Sequence, residues 1–208
     1  MQNKAEQILQ FMKVLDKACL VERATRLSDG RFETDSSHTF KLCFLCMLVY
    51  PYLKHKYNYT RLLELALVHD IAEAETGDCP RSVQRRHPEM KAQKDLRERE
   101  AMLKYKDILP EPLGGQIFDL YQEYEGKQTP ESRLVTALDK IDANLQANQY
   151  HDGDVRYWLD LEDGEEYFTI NTEKKPVVAV LDEEIVEEVE NAVIALTKGN
   201  IAKCNIKF

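Results

Sequence analysis

Residues 65–78 read LALVHDIAEAETGD, and this stretch decides how the rest of the chain is interpreted. An apolar helical run leads directly into His69-Asp70, and Glu73 follows four residues after the histidine. Residues three and four apart share one face of a helix. The stretch therefore predicts a helix that presents an imidazole and two carboxylates together at the end of an apolar segment.

Two more polar residues interrupt apolar helices elsewhere in the chain. His38 lies at the start of a helix that is apolar on most sides, and Asp139 lies within another. A buried carboxylate is costly unless it is hydrogen-bonded, paired with a cation or bound to metal. Taken singly, His38 reads as a helix-start histidine and Asp139 as a core aspartate paired with Lys140. Together with His69-Asp70 they form a mixed nitrogen and oxygen set, which suits a divalent cation and leaves positions open for water and substrate.

Two carboxylates beside this set are candidates for proton transfer. Glu73 has the same helical phase as His69, and Asp78 follows the predicted helix stop at Gly77. A carboxylate beside a metal-bound water can orient that water or accept its proton. The alternative is that Glu73 is a solvated helix residue and Asp78 a turn carboxylate.

The order His38, His69-Asp70, Asp139 resembles the signature of the HD-domain metal-dependent phosphohydrolases. The continuation over 66–78 is similar to that of the HD-domain 5′-deoxynucleotidases, and the resemblance covers about residues 18–149. It implies a helical bundle that binds one divalent metal ion and hydrolyses a phosphate ester by in-line attack of an activated water. It also implies a small-molecule phosphate ester, a nucleotide, as substrate and a homodimer as the assembly.

The resemblance assigns roles to individual residues. It implies metal binding by His38, His69, Asp70 and Asp139, water activation by Glu73, sugar contact or proton transfer by Asp78, and phosphate contact by Arg26. A guanidinium suits that last role because it neutralises a phosphate bidentately. A His/Asp set accepts manganese, cobalt, nickel, zinc, magnesium or iron. Between Asp70 and Asp139 the chain has only His87, in a polar stretch, which favours a single metal ion over the two-metal phosphodiesterases and di-iron oxygenases.

Three departures from the family pattern fall on the substrate side of the predicted site. Ser37 stands where an acidic residue usually precedes the first histidine, so the partner of His38 is either missing or supplied by Asp35. Leu27 replaces an aromatic residue, and Arg81 replaces a small polar one. Two alternatives therefore stay open, namely a phosphodiesterase acting on a cyclic or diester nucleotide and a non-enzymatic ligand-binding or interaction module.

Charge and composition restrict the partners and the compartment. The formal net charge is −9, and residues 151–190 alone hold 14 acidic and 3 basic residues. This balance disfavours a nucleic-acid polymer as partner. The longest apolar stretch, 42–53, is far shorter than the roughly 20 residues of a membrane span, and no signal peptide is predicted. The five cysteines lack a disulfide framework, and the Cys43/Cys46 pair reads as helix packing, so a cytoplasmic location is expected.

The apolar periodicity predicts an all-α fold, with an HD-domain bundle of six core helices in residues 1–150. An acidic C-terminal extension, 151–208, is expected to pack on it. Ser36 or Ser37 is predicted to cap the second helix, and the third is predicted to run from Thr60 to Glu75. A surface helix is predicted over 88–107, with Ala92, Leu96 and Leu103 on its apolar face. A further strong helix is predicted to start at Thr129-Pro130. Residues 27–35 are expected to form a loop. In the extension, a short hairpin pairs 169–172 with 177–181, and Asp182 caps a last helix that ends at Gly199.

Overall fold

The computed structural model describes residues 3–79, 84, 87–149, 153–156 and 171–204, and this part of the chain is helical apart from one two-stranded hairpin. The predicted all-α class is confirmed. The helices are α1 (Lys4–Ala18), α2 (Asp35–Val49), α3 (Tyr59–Val68), α4 (Glu73–Thr76), α5 (Pro88–Ile108), α6 (Leu113–Gly126), α7 (Pro130–Gln149), α8 (Pro176–Ala179) and α9 (Glu184–Lys203), and the strands are β1 (Glu22–Arg26) and β2 (Phe32–Thr34). A short 3₁₀ helix, Tyr50–Tyr52, follows α2.

Helix α7 lies at the centre of the larger hydrophobic core. Its predicted stripe is confirmed, because Leu134, Leu138 and Ile141 are buried and Leu145 is partly buried against them. Helices α2, α3, α6 and α9 contribute the other walls of this core. A second cluster joins residues of α1, α5 and α6 with those beside α4. A polar residue on α7 therefore enters a dry interior.

The segment predicted as the loop 27–35 contains a strand, which the sequence analysis missed. Strand β2 pairs antiparallel with β1, with Glu22 opposite Thr34 and Arg26 opposite Phe32. Gly30 forms the turn in the left-handed region, with φ +86°. The two strands are short and largely polar, so they carry no clear alternating apolar signal. The hairpin brings β1 beside the start of α2.

Helices α2 and α3 start earlier than predicted. Thr34, and not Ser36 or Ser37, caps α2, and Ser37 completes a reciprocal capping box from inside the first turn. Asn58, and not Thr60, caps α3 through a 3.1 Å hydrogen bond that its side-chain oxygen accepts from the backbone N–H of Arg61.

The predicted continuous helix Thr60–Glu75 is wrong, because a turn at residues 69–72 interrupts it and separates α3 from α4. The backbone N–H of Glu73 donates to the carbonyl of Asp70 at 2.9 Å, and that of Ile71 donates to Val68 at 3.2 Å. These are bonds between residues three apart, which tighten the chain to about three residues per turn. Side chains three apart then eclipse, so Asp70 and Glu73 point to the same side.

Helix α5 starts at Pro88 as predicted, but its predicted apolar face is wrong. Leu96 is 58% exposed, whereas Met102 and Tyr105 are buried in the second cluster. The stripe that packs is therefore displaced around the helix from the one predicted.

The predicted strand 177–181 is also wrong, because α8 covers part of it. Pro176 occupies the first turn of α8, where its missing N–H costs nothing. Of its proposed partner, 169–172, the first two residues lie outside the described residues, and 171 and 172 are helical, so that part of the predicted hairpin is also wrong. Helix α9 starts after Glu183, not Asp182, and continues through Gly199 to Lys203.

The C-terminal helices share the interior of the bundle. Val178 of α8 and Val186 and Val193 of α9 are buried in the same core as the central helix α7. The division of the chain at residue 150 stays a prediction. Among the described residues, no helix combines the length and apolarity needed to cross a membrane.

Candidate metal centre

Three of the four predicted metal ligands meet in one buried place. The exposed fractions of His38, His69 and Asp139 are 0%, 4% and 4%, and their candidate ligand atoms lie within 4.8 Å of one another. His38 Nε2 is 3.1 Å from Asp139 Oδ1, and the centroids of the two imidazoles are 5.2 Å apart. Helices α2 and α7 and the end of α3 thus bring together residues that are far apart in the sequence.

Asp70, the fourth predicted ligand, contacts this group from the break between α3 and α4. Its Oδ2 lies 3.0 Å from His69 Nε2 and accepts a 2.8 Å hydrogen bond from Arg23 Nη1. Burial by itself raises the pKa of Asp70, but His69 and Arg23 hold it below its ordinary value. The residue is therefore an ionised carboxylate in contact with the imidazole.

The hydrogen bonding of His69 leaves one nitrogen for a ligand. Its Nδ1 donates to the carbonyl of Ala66 at 2.8 Å, so the lone pair of the neutral ring is on Nε2. Among the described residues Nε2 is buried and has no hydrogen-bond partner, although the Asp70 carboxylate faces it. When the His69 ring is neutral, its Nε2 lone pair and the Asp70 carboxylate face each other at 3.0 Å, which is an arrangement that a shared cation stabilises.

His38 is oriented by a carboxylate that the sequence analysis missed. Asp142 Oδ2 is 2.8 Å from His38 Nδ1, which leaves Nε2 directed at Asp139. Burial alone lowers the pKa of His38, but its bonds to Asp139 and Asp142 raise it to about 9. Asp35, the partner considered from the sequence, pairs with Arg23 instead. The spacing from Asp139 to Asp142 is one helical turn on a buried face, and that signal was readable in the sequence.

Other polar groups hold the outer side of the centre in place. Asp139 Oδ2 accepts hydrogen bonds from the Tyr124 hydroxyl, at 3.2 Å, and from Lys140. The pairing with Lys140, considered from the sequence, is therefore present together with the contact to His38. Behind His38, Lys41 lies between Glu33 and Asp142, so these acidic groups form an ion-pair cluster.

The residues present fit a divalent cation. A metal ion bound at about 2.1 Å keeps its ligand atoms roughly 3 to 4.3 Å apart, which is compatible with the observed cluster. Each histidine also donates from its other ring nitrogen to a carboxylate or a carbonyl, as ligating histidines usually do.

Glu73 lies beside Asp70, as its position after the break predicts. Its exposed fraction is 5%, and its carboxylate lies within 4.8 Å of ligand atoms of Asp35 and Asp70. Glu73 Oε1 accepts a 2.8 Å hydrogen bond from Lys94, whereas the buried Oε2 has no partner among the described residues. Burial and the charge of Asp70 raise the pKa of Glu73 to about 10, and Lys94 opposes that rise.

Asp78 is half-buried immediately after Gly77, whose φ of +73° ends α4. Burial raises the pKa of Asp78, and the positive charge of Arg23 acts in the opposite direction. The charges of Arg23 and Asp70 thus both act on the pKa of Asp78, which indicates that Asp78 lies near the centre.

Arg23, and not Arg26, is the arginine that contacts the centre. Arg23 Nη1 bonds both Asp70 and Asp35, at 2.8 and 3.2 Å. Arg26 Nη1 donates to the carbonyl of Gly30 at 2.9 Å, and its guanidinium lies 3.8 Å from the centroid of the Phe32 ring, within the hairpin. Residues three apart on a strand point to opposite faces. Because β1 was not predicted, the sequence analysis had no means of choosing between the two arginines.

A buried cluster of histidines and aspartates between the helices of an all-α bundle defines an HD-domain protein. Residues 15–175 match the family model described as HD domain, and the chain belongs to this family. The resemblance drawn from His38, His69-Asp70 and Asp139 is therefore confirmed.

Curated relatives and solved structures agree with this assignment. The chain is 31% identical to 5′-deoxynucleotidase HDDC2 of Homo sapiens over 150 residues, which is 71% of this chain and 70% of the relative. It is 30% identical to the protein of the same name in Danio rerio over 149 residues, 71% of each chain. The fold is similar to that of a predicted metal-dependent phosphohydrolase from Magnetospirillum magnetotacticum MS-1, with a TM-score of 0.71, 20% identity and 97% of both chains covered. PH0347 protein from Pyrococcus horikoshii has a TM-score of 0.61 at 21% identity, over 90% of this chain and 99% of that one.

Proposed function

We propose that this chain is a metal-dependent phosphomonoester hydrolase that releases phosphate from a nucleoside 5′-monophosphate. The observation that carries the proposal is the buried convergence of His38, His69 and Asp139, with His69 Nε2, which has no hydrogen-bond partner in the described part of the chain, beside the Asp70 carboxylate. The name 5′-deoxynucleotidase of the curated relatives supports a nucleotide as the substrate.

In this proposal His38, His69, Asp70 and Asp139 hold one divalent cation. Bound there, the cation polarises the phosphate and lowers the pKa of a coordinated water. The donor set accepts manganese, cobalt, nickel, zinc, magnesium or iron, so the ion that is bound depends on which of these ions is available to the protein. The protein orients the ligands through Asp142 behind His38 and the Ala66 carbonyl behind His69.

The remaining side chains handle the proton and the charge of the phosphate. Glu73 Oε2, which has no partner among the described residues, would orient the attacking water. Its carboxylate would accept the proton once a bound cation offsets the charge of Asp70, which raises the pKa of Glu73. The phosphate contact predicted for Arg26 stays a prediction, and Arg23 is a second candidate for it because its guanidinium bonds Asp70 at the centre. A guanidinium keeps further donors after pairing with a carboxylate, and these offset charge on the transferring group. Asp78 contacts the sugar side or assists proton transfer.

A matrix of divalent metals against nucleoside 5′-monophosphates, read as phosphate release, tests the proposal. We expect metal-dependent release from at least one nucleotide, and its loss with a chelator. Asp70→Ala is expected to lower the rate by more than about 100-fold, beyond the loss typical of an outer-shell partner. The exposed Asp119 provides the control variant Asp119→Ala, which should retain the wild-type rate.

Three results would contradict the proposal in different ways. Unchanged activity in Asp70→Ala would remove the site assignment. Faster hydrolysis of bis(p-nitrophenyl) phosphate than of every nucleoside monophosphate would identify a phosphodiesterase. Metal binding without hydrolysis of any phosphate ester in a broad panel would identify a binding or interaction module.

The proposed assembly is a homodimer formed through the exposed apolar face of α2 and the 3₁₀ helix that follows it. Phe40, Phe44, Leu48 and Tyr52 recur every four residues and are 64%, 46%, 65% and 71% exposed. The rings of Phe40 and Phe44 stack with centroids 4.9 Å apart. A continuous apolar stripe on a surface helix is typical of a protein–protein interface, and a second copy offers the same stripe.

The proposed location is the cytoplasm. All five cysteines are free thiols, and Cys19 is exposed. Exposed free thiols suit a reducing compartment. The net charge of −9 disfavours a nucleic-acid polymer as partner. A small anionic substrate would bind at a local cationic group such as Arg23.

A further inference from the structure

Lys94 of α5 carries a half-buried ammonium group that neither the predicted ligand set nor the predicted catalytic residues include. We infer that Lys94, held by Glu98, is the positioning residue that fixes the Glu73 carboxylate, which in turn orients the water that attacks a phosphate ester. This inference rests on the function proposed above and deepens it, because it names what aims the base.

Three charged side chains form a linear chain between α4 and α5. Lys94 Nζ donates to Glu73 Oε1 at 2.8 Å and also donates to Glu98 Oε1, one turn further along the same helix. The Lys94 side chain is 13% exposed, and Glu73 and Glu98 are 5% and 7% exposed. Burying three charges is costly unless their geometry is held by hydrogen bonds, so the arrangement calls for a specific role.

The contact distinguishes the two oxygens of Glu73. An ammonium group has donors and no acceptor, so Oε1 is occupied. Oε2 is buried, has no partner among the described residues, and belongs to a carboxylate within 4.8 Å of ligand atoms of Asp35 and Asp70. Lys94 thereby prevents the carboxylate from rotating and leaves a single oxygen for a water at the centre. A base must lie within hydrogen-bond reach of the proton it accepts, and this contact provides that alignment.

Lys94 also balances the charge that Glu73 meets. Asp35 and Asp70 surround Glu73 with negative charge, and among the described residues Lys94 is the cation hydrogen-bonded to it. Burial alone lowers the pKa of Lys94, but Glu73 and Glu98 raise it above its ordinary value, so the group stays a cation. The Lys94 ammonium therefore offsets part of the negative charge that Asp35 and Asp70 place around Glu73.

The test compares two lysines of the same helix that each pair with an acidic residue four positions on. Lys94→Met removes the half-buried ammonium, and Lys91→Met removes an exposed one whose Nζ lies 2.7 Å from Asp95. With the metal-loaded enzyme, we expect Lys94→Met to lower kcat about 100-fold, the size of a misplaced catalytic group, with KM within about threefold of wild type. Lys91→Met should match wild type. Lys94→Arg keeps a cation at this position and should recover at least a tenth of the wild-type kcat, about tenfold above Lys94→Met.

A double variant separates positioning from direct contact with the substrate. If Lys94 acts through Glu73, adding Lys94→Met to Glu73→Gln changes kcat by less than about threefold, because groups that act as a unit are not additive. If the two losses multiply, Lys94 contacts the substrate itself and the inference is wrong.

The folding of each variant and the activity of the wild type distinguish failure of this inference from failure of the proposed function. If Lys94→Met fails to fold, Glu98→Gln replaces it, and a wild-type kcat in that folded variant would overturn the inference. If wild type is active and Lys94→Met equals Lys91→Met, the inference fails while the proposed function stands. If wild type hydrolyses no nucleoside monophosphate with any metal, the proposed function itself fails.

Discussion

His38 shows how a single side chain is held on both sides. Asp142 accepts from Nδ1 at 2.8 Å, and Nε2 is left facing Asp139. Lys41 Nζ lies 3.6 Å from the same Asp142 carboxylate oxygen. A carboxylate behind a ligating histidine fixes the ring and makes the nitrogen a better ligand. Asp142 is therefore part of the metal centre without being one of its proposed ligands.

Asp142→Asn tests this arrangement. Asparagine keeps the shape and one acceptor but removes the charge, so metal affinity should fall about 10-fold, at the lower end for an outer-shell carboxylate. Competition with a chromophoric chelator measures the affinity. Asp107→Asn alters an exposed aspartate and serves as the control. An affinity equal to wild type in Asp142→Asn would contradict the role.

At the scale of elements, the start of α9 is tied to the segment before α3. Glu183 is 1% exposed, and its carboxylate accepts from the backbone N–H groups of Lys54, at 2.7 Å, and His55, at 3.0 Å. Burial alone raises the pKa of Glu183, but these N–H groups hold it below its ordinary value. The ionised carboxylate therefore stabilises the packing of α9 on the bundle.

Glu183→Gln should lower the free energy of unfolding by about 1–3 kcal/mol near neutral pH, because the amide nitrogen cannot accept one of the two N–H groups. Because the pKa of Glu183 is lower in the folded state than in the unfolded state, its ionisation stabilises the fold at pH values above the unfolded pKa of about 4.3. This stabilisation is lost as the pH falls through the pKa of the folded state. Urea unfolding from neutral to acidic pH should therefore show the difference between wild type and variant shrinking below about pH 4. The neighbouring exposed Glu184 offers Glu184→Gln as control. A difference that stays constant across this range would contradict the assignment.

At the scale of the whole molecule, the apolar face of α2 sets the proposed assembly. The opposite face of the same helix buries Leu42 and Cys46 in the core and carries His38 to the metal centre. Helix α2 therefore links the centre to the outer surface. A dimer formed there would cover Phe40, Phe44 and Leu48, which lie on the face of α2 opposite the metal centre.

Leu48→Glu should convert a dimer into a monomer, because a charge desolvated in an apolar interface is costly. Size-exclusion chromatography with light scattering should give about twice the chain mass of 24.2 kDa for wild type and a single chain mass for the variant. Leu96→Glu alters a leucine on α5 that is 58% exposed and should leave the mass unchanged. A monomeric wild type at micromolar concentration would overturn the proposed dimer.

Much of the fold followed from local patterns, and the failures have a common origin. The stripe Leu134-Leu138-Ile141 was readable because helical periodicity reports a buried face directly. The hairpin β1–β2 was not readable, since its short polar strands are stabilised by pairing and not by an apolar pattern of their own. The break at residues 69–72 was hidden because all of its residues are compatible with helix, and only packing shifted the hydrogen bonds to residues three apart.

The order of residues by itself determined the helical class, the family and the three groups that meet in the buried cluster, because those depend on residue type and spacing along the chain. The tertiary structure decided which partners those groups have. Asp142 behind His38, Arg23 instead of Arg26 at Asp70, and Lys94 on Glu73 are contacts between different elements or on a face that burial selects. Such contacts depend on how elements cross in space. The spacing along one element shows which residues share a face, as Asp139 and Asp142 do, but not which side chains of another element that face meets.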